Sequence, residues 1–506
     1  MSKNCIIYFA SQHADLLPPL VRRLKTSHGL DTILVCRDMR ELPANDTSKF
    51  DYGLFKQILC YDSILEATHV IDSNESLKIA DRCARIEESL GASPLDIMRT
   101  DRHVGIGFVS GARFLRSSYG GRVNYLGSLD IVIRLCEFFG NLIDEARPVF
   151  VITTYSPLAG ASLFAVAEGK GVPARWPITA KVGKKMFWTY DRSLVPPQIC
   201  KTFRRLTSEL NTKAPVQLGT PYGAAQVNSA IPTQTSYASL AQALVRVLRR
   251  GVILKLQGRY QSYGNYYVGA QVRHIISKWL WRRRAVSLAP VAPNLPDSLP
   301  FVFYPLMIEP ESSLMCEVQE ADNQLTVIDW LCKAVPAGWY VLIKEHPGRT
   351  SARPASFWER IRSYPNALVA TPFETAEAFI NRSRAVATIN GSIGIQAAVG
   401  GTPVIAFHRN YLGNVMDHVV FAGNYEETRQ ALRTIAKEDG AEAKERRIRN
   451  GAAFHAALEE CSFSIEHEGL LLGIATGTPV PQSDIDALVE SLLDETSVEG
   501  MAQVSR

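Results

Sequence analysis

Between Phe301 and Phe407 the sequence alternates short apolar runs with stretches of helical periodicity, joined by short connections, and few topologies accept that order. The pattern predicts strand Phe301–Tyr304, helix Gln324–Val335, strand Tyr340–Ile343, helix Ala355–Ile361, strand Ala367–Ala370, helix Thr375–Asn381, strand Ala385–Ile389, helix Ile393–Val399 and strand Pro403–Phe407. Repeated βα units of this kind build a doubly wound parallel sheet, whose ligands lie beyond the carboxyl ends of the strands.

The first half carries the same alternation less cleanly. Strands are expected at Cys5–Phe9, Thr32–Cys36, Val149–Thr153 and Val172–Trp176, helices at Leu16–Lys25 and Leu158–Glu168, and a helix-rich stretch from Ser63 to Asp144. From Thr202 to Trp281 the pattern is helical but irregular, and the four prolines of Ser287–Pro300 read as a linker. Further helices are expected at Tyr425–Lys437 and Ala441–Leu458. A chain of 506 residues suits two or three domains. The expected division is an N-terminal Rossmann-like domain over 1–230, a basic helical connector over 231–300, a second Rossmann-like domain over 301–475 and an acidic tail over 476–506.

Composition removes several classes. With 21% charged residues and no apolar run long enough to cross a bilayer, the chain reads as a cytoplasmic protein. The N-terminal run Cys5–Ala10 stops at Ser11-Gln12-His13 and is a strand rather than a signal. Nine cysteines stand singly without a Cys-x-x-Cys pair, which favours buried thiols over disulfides or zinc. A net charge of +5 is too mild to imply a nucleic-acid partner. The charge is uneven, however. No Asp or Glu occurs from Leu210 to Pro296, whereas Arg246, Arg249, Arg250, Lys255, Lys278 and Arg282-Arg283-Arg284 crowd its second half. With Trp279 and Trp281 among them, residues 246–284 suit an anionic membrane surface. A solvated helix pair, or a polyanionic glycan, would fit the same residues.

Two loops at strand ends offer chemistry. Lys344-Glu345-His346-Pro347-Gly348 leaves a lysine and an imidazole at the mouth of the sheet, where Pro347 breaks the element. Asn390-Gly391-Ser392-Ile393-Gly394 opens a helix, presenting backbone N–H groups and the positive end of the helix dipole, as a bound phosphate requires. His346 could equally cap a sheet edge, and Ser392 a helix. A dinucleotide fingerprint at Gly105-Ile106-Gly107 fails on spacing and lacks a preceding strand. Asp484-Ile485-Asp486 has the form of a metal-binding carboxylate pair but lies in the polar tail. Tyr260, Tyr263, Tyr266 and Tyr267 could stack on sugar rings or simply pack between helices.

These residues carry a resemblance. Tyr304-Pro305-Leu306-Met307-Ile308-Glu309-Pro310-Glu311, Asn323-Gln324, Lys344-Glu345-His346-Pro347, Asn390 through Ala397 and Gly401-Thr402-Pro403-Val404-Ile405 resemble the capsule polysaccharide biosynthesis proteins, which include Kdo transferases of bacterial surface glycans. The resemblance implies a GT-B fold, two Rossmann-like domains facing across a cleft. It also implies a glycosyltransferase that moves Kdo or a related acidic sugar from a CMP-linked donor to a capsule or lipopolysaccharide glycan. It places the donor nucleotide at Lys344, His346, Pro347, Gly391, Ser392, Gly394 and Gln396, with His346 and Ser392 on the phosphate. Neither a metal nor a cofactor besides the CMP-sugar is implied, and the acceptor would be an oligosaccharide or lipid-linked glycan.

The chain departs from that pattern at Glu309, where a glutamine is expected, at Gln396, where a glutamate is expected, and after Thr153, where an acid is missing. Sugar transfer needs a group that accepts the proton of the acceptor hydroxyl, or a carboxylate nucleophile if configuration is retained through a covalent intermediate. The candidates are Glu309, Glu311 and Asp101, the last of which could instead pair with Arg102. Two other readings fit: a CDP-polyol phosphotransferase of the teichoic-acid-polymerase type, and a non-catalytic glycan-binding assembly component.

Overall fold

A computed structural model describes residues 3–9, 14–39, 42, 51–66, 71–101, 124–155, 157–189, 195–209, 215–216, 235–256, 268–286, 291–309, 312–318, 321–346, 353, 355–438, 440–473 and 476–493. They divide into two compact units. One comprises Met1–Val104, Tyr119–Pro197 and Cys461–Arg506, and the other Gly105–Ser118 and Gln198–Glu460.

The first unit is built on β1 (Lys3–Tyr8), β2 (Leu30–Cys36), β3 (Gln57–Cys60), β4 (Pro148–Ile152), β5 (Ala174–Thr179) and β6 (Lys185–Thr189), in the order β6-β5-β4-β1-β2-β3. Every pairing is parallel except β5 with β6. Cys5–Tyr8 and Ile33–Cys36 are buried throughout, which explains why they read as continuous apolar runs rather than alternating ones. The first crossover helix, Leu17–His28, opens on Pro18 and Pro19 and closes at Gly29, whose φ of 63° is the left-handed conformation that glycine adopts without strain.

The second unit is built on β7 (Phe301–Pro305), β8 (Tyr340–Lys344), β9 (Ala367–Ala370), β10 (Ala385–Thr388), β11 (Val404–Ala406) and β12 (Val419–Phe421). Its order is β12-β11-β10-β7-β8-β9, with all pairs parallel. That is the Rossmann order, and the chain reverses direction across the sheet between β7 and β10, where such folds bind their ligands. Val302, Tyr304, Val341, Ile343, Ala385, Ala387 and Ile405 share one core with the helix Gln324–Ala334. Two Rossmann-like units in one chain are the make-up of the GT-B class, as expected.

The chain divides differently from the sequence expectation at two places. The last strand, β13 (Phe463–Ser464), pairs antiparallel with β6, so the end of the chain belongs to the first unit. What reads as an acidic tail contains the helix Gln482–Leu493, against which Trp188 donates from Nε1 to Leu488 O (3.3 Å) and Ser491 Oγ (3.0 Å). Asp484 is buried there and accepts from the N–H groups of Glu466 and His467, a structural capping role. The acidic face hid an apolar one, since Ile485, Leu488, Val489 and Leu492 are all buried.

The expected connector, 231–300, is instead part of the second unit, with the helices Tyr237–Leu256 and Val268–Val286, and the second unit also takes residues 198–209 from the end of the expected N-terminal domain. The proline-rich segment is pinned as well. Arg382 donates to Ala292 O and Leu295 O, both at 2.6 Å, and Glu374 accepts from Ala292 N.

Candidate functional site

Loops leaving the carboxyl ends of β7, β8, β9 and β10 are bound to one another by a polar network. Its centre is Arg353, a buried guanidinium that donates from Nη1 to Glu309 (2.6 Å), from Nε to Glu345 (2.7 Å) and from Nη2 to Met307 O (2.6 Å). The guanidinium also lies over the Phe357 ring at 4.6 Å. Burial alone would pull Arg353 down, but Glu345 and Glu309 beside it hold it above its ordinary value. Burial raises the Glu345 carboxyl above the usual range, with Arg353 opposing. Removing one partner of such a group strands a buried charge, which costs about 3–5 kcal/mol.

Two further connections complete the network. Met307 exchanges both backbone hydrogen bonds with the buried side-chain amide of Gln324 and receives Asn390 N at its sulfur (3.2 Å), tying the loop after β7 to the loop after β10. Lys344, the last residue of β8, donates to Pro372 O (3.0 Å) beyond β9. Burial lowers its ammonium to about 8, against the opposing pull of Glu345 and Glu374.

The backbone of His346 is held by this network. Its backbone N–H donates to Glu345 Oε1 (2.8 Å), while the other oxygen of the same carboxylate is held by Arg353. The residue itself is half-buried.

The second loop opens the helix Ser392–Val399. Gly391, not Ser392, is the cap residue, so the alternative in which Ser392 serves as the helix cap does not hold. Gly391 N donates to Thr388 Oγ1 (2.9 Å), and Tyr411 donates to Gly391 O (2.8 Å). Among the described residues no side chain accepts from the N–H groups of Ser392 or Ile393. The other end of the helix is closed. His418, lowered to about 4 by burial, is neutral and donates from Nε2 to Ala398 O (2.8 Å). Gly451 lets the helix Ala441–Glu460 approach closely, since a Cβ there would lie 2.2 Å from Val399 O.

The candidate residues therefore fall into distinct groups. His346, Gly391, Ser392 and Gln396 are half-buried at or near the strand ends, and Lys344 lies beneath as a brace. Gly394 is buried, and its lack of a side chain makes room for Tyr411, whose hydroxyl would stand 2.5 Å from an added Cβ. Pro347 and Glu311 lie outside the described residues, as do Arg102, Gly105–Gly111 and the tyrosines from 260 to 267.

Glu309 is buried in its ion pair with Arg353, an arrangement that positions a loop and does not present an open base. Asp101, in the first unit, is also committed: its carboxylate accepts from Leu158 N (3.2 Å), the first N–H of the helix Leu158–Gly169 of that same unit.

Sequence reasoning missed Arg353, Gln324 as the clamp on Met307, and Glu317. Glu317 is a half-buried carboxylate that accepts a hydrogen bond from the Asn390 side chain. The only signal for Arg353 was indirect, two carboxylates at adjacent strand ends that needed a cation between them.

No protein-family model matches the chain, and no curated protein matches it in sequence. Among solved structures it is similar to a Staphylococcus aureus MnaA–UDP complex, at 10% identity and a TM-score of 0.28 over 90% of this chain and 94% of that one. It is similar to the UDP-GlcNAc 2-epimerase of Methanocaldococcus jannaschii bound to UDP-GlcNAc and UDP, at 11% identity and a TM-score of 0.27 over 88% and 98%. It is also similar to the β-Kdo 2,4 transferase KpsC of Thermosulfurimonas dismutans, at 12% identity and a TM-score of 0.28 over 57% and 78%. Likeness at this level carries no argument about chemistry. Strand order and parallel pairing in the chain itself establish two Rossmann-like units.

Proposed function

We propose that the chain is a glycosyltransferase that holds a nucleotide-activated sugar at the carboxyl ends of β7, β8 and β10. The observation that carries this reading is the helix Ser392–Val399, which starts at the topological switch point with its first N–H groups uncapped by any described side chain. Such a helix end accepts a phosphate through N–H groups and dipole together. His346, and Lys344 when protonated, add positive or hydrogen-bonding character at the end of β8, beyond β7 in the same sheet. In glycosyl transfer the bond from the anomeric carbon to the phosphate oxygen breaks as an acceptor hydroxyl attacks, and negative charge gathers on the leaving phosphate. Groups fixed beforehand around that charge lower the barrier without reorganising.

The donor class follows from the resemblance: a CMP-linked acidic sugar, Kdo or a relative, transferred to a surface glycan. The acceptor proton must pass to a base, for which a carboxylate is suited. Glu309 is buried in its ion pair with Arg353 and Asp101 lies at a helix end of the first unit, whereas Glu317 stands beside Asn390 in the loop after β10, and that placement makes it the candidate.

A donor screen read by mass spectrometry tests the proposal. Incubation with CMP-Kdo and an oligosaccharide acceptor is expected to release CMP and add one sugar residue to the acceptor. Turnover with a CDP-polyol alone would mean phosphotransfer instead. CMP binding without turnover of any donor would mean an assembly component.

A further inference from the structure

The sequence expectation assigned the tryptophans and the arginine triplet of residues 279–284 to a membrane surface, and the structure uses most of them otherwise. Trp281 packs edge-on against Phe373, Arg282 is buried, and Arg283 lies over the rings of Tyr237 and Trp279 at 4.9 and 4.8 Å. Trp279 donates to Ser236 O. The neighbouring helix, Tyr237–Leu256, is organised differently.

One of its faces is satisfied. Val247 is buried, and at Gly251 an added Cβ would lie 2.3 Å from Val268 Cγ2 on the helix Val268–Val286. The opposite face carries Val245, Leu248, Val252 and Leu256, spaced at helical intervals and exposed by 63%, 52%, 58% and 82%. An aliphatic stripe so open is unusual when it is contiguous. Arg246, Arg249, Arg250 and Lys255 are exposed around it. The nearest acids in sequence are Glu209 and Asp297, because none occurs between them.

We infer that the helix Tyr237–Leu256 docks on an anionic lipid surface, with Val245, Leu248, Val252 and Leu256 entering the headgroup boundary and the basic residues meeting lipid phosphates. Charge selects this occupant. A second copy of the helix would set like charges against like, whereas anionic headgroups neutralise the arginines while the acyl region takes the stripe. Arginine stems reach upward along such a surface and keep their guanidinium groups at the polar layer. No helix of the described residues is long and apolar enough to span a membrane, so the contact is interfacial. The inference is independent of the donor nucleotide.

Co-sedimentation of the full chain with vesicles tests it. Phosphatidylcholine vesicles containing phosphatidylglycerol are expected to bind the protein, with affinity falling as salt rises, while phosphatidylcholine alone binds far less. Replacing Arg246, Arg249 and Arg250 by serine should weaken binding on the order of a hundredfold, roughly fivefold per charge. Serine at Val245, Leu248, Val252 and Leu256 should abolish it at an unchanged melting temperature.

Equal indifference of the wild-type chain to both vesicle types overturns the inference. So does a quadruple variant that binds vesicles normally, which would mean polyanion contact only. A wild-type dimer that the quadruple variant converts to monomer in analytical ultracentrifugation, without vesicle binding by either, would assign the stripe to a second copy.

Discussion

The two units place a helix at the same point of the same topology and treat its N-terminus in opposite ways. In the first, the helix Leu158–Gly169 follows β4, the strand beside β1, and receives the carboxylate of Asp101 at its first N–H. The positive end of the dipole is satisfied from within the protein. In the second, the helix Ser392–Val399 follows β10, the strand beside β7, and among the described residues no side chain accepts from Ser392 N or Ile393 N. Its surrounding loops are fixed by a buried ion triad instead. One helix end is closed and the other is open, and on that difference rests the proposal that the nucleotide binds the second unit. A topology shared by both halves does not tell them apart; the capping carboxylate does.

The difference can be broken from either side. The largest effect is expected from Arg353→Met, which leaves Glu309 and Glu345 buried without their cation and should cost about 3–5 kcal/mol of stability. Urea denaturation measures it, and an unchanged midpoint would remove the triad as the organiser of the loops. Next, His346→Ala should lower CMP affinity by roughly 1.5–3 kcal/mol, ten- to a hundredfold, with the melting temperature unaltered. Normal affinity in a variant that melts early would make His346 structural.

Asp101→Ala should show the reverse signature, about 0.5–2 kcal/mol of stability lost with the helix cap and no change in CMP affinity. A loss of affinity would bring the first unit into the nucleotide site.

The smallest effect concerns Lys344. Its folded value is lowered to about 8, below the unfolded one, so the folded state binds fewer protons between pH 8 and the ordinary lysine range. Stability should gain from this group as pH rises through that window. A bound phosphate favours the protonated form, so CMP affinity should fall as pH rises past about 8, and Lys344→Met should flatten the fall. Isothermal titration across that range checks both, and identical pH profiles for the two proteins would separate Lys344 from the ligand.

Much of the fold was legible because burial on both faces makes parallel strands conspicuous. Phe301–Pro305, Tyr340–Lys344 and Ala385–Thr388 are apolar for that reason, and each was found. Three edge strands escaped notice, although the edge strand Ala367–Ala370 was expected. Gln57–Cys60 and Phe463–Ser464 have no fully buried side chain, and Val419–Phe421 is only three residues long, so none of the three gives a periodicity of its own.

The site was legible as positions but not as roles. Lys344, His346 and Gly391 declared themselves by following strand ends, whereas Arg353 lies well along a loop and gains its meaning only from two carboxylates brought to it by the fold. Asp101 shows the same limit, since the N–H that it accepts from, on Leu158, is fifty-seven residues away.

A crystal structure of the chain with CMP tests the central claim most directly. The phosphate is expected within hydrogen-bond distance of Ser392 N, Ile393 N and the His346 ring, with the Asp101 carboxylate still on Leu158 N. A phosphate seated at the end of β1 or β4, with Asp101 displaced from its helix, would contradict the account.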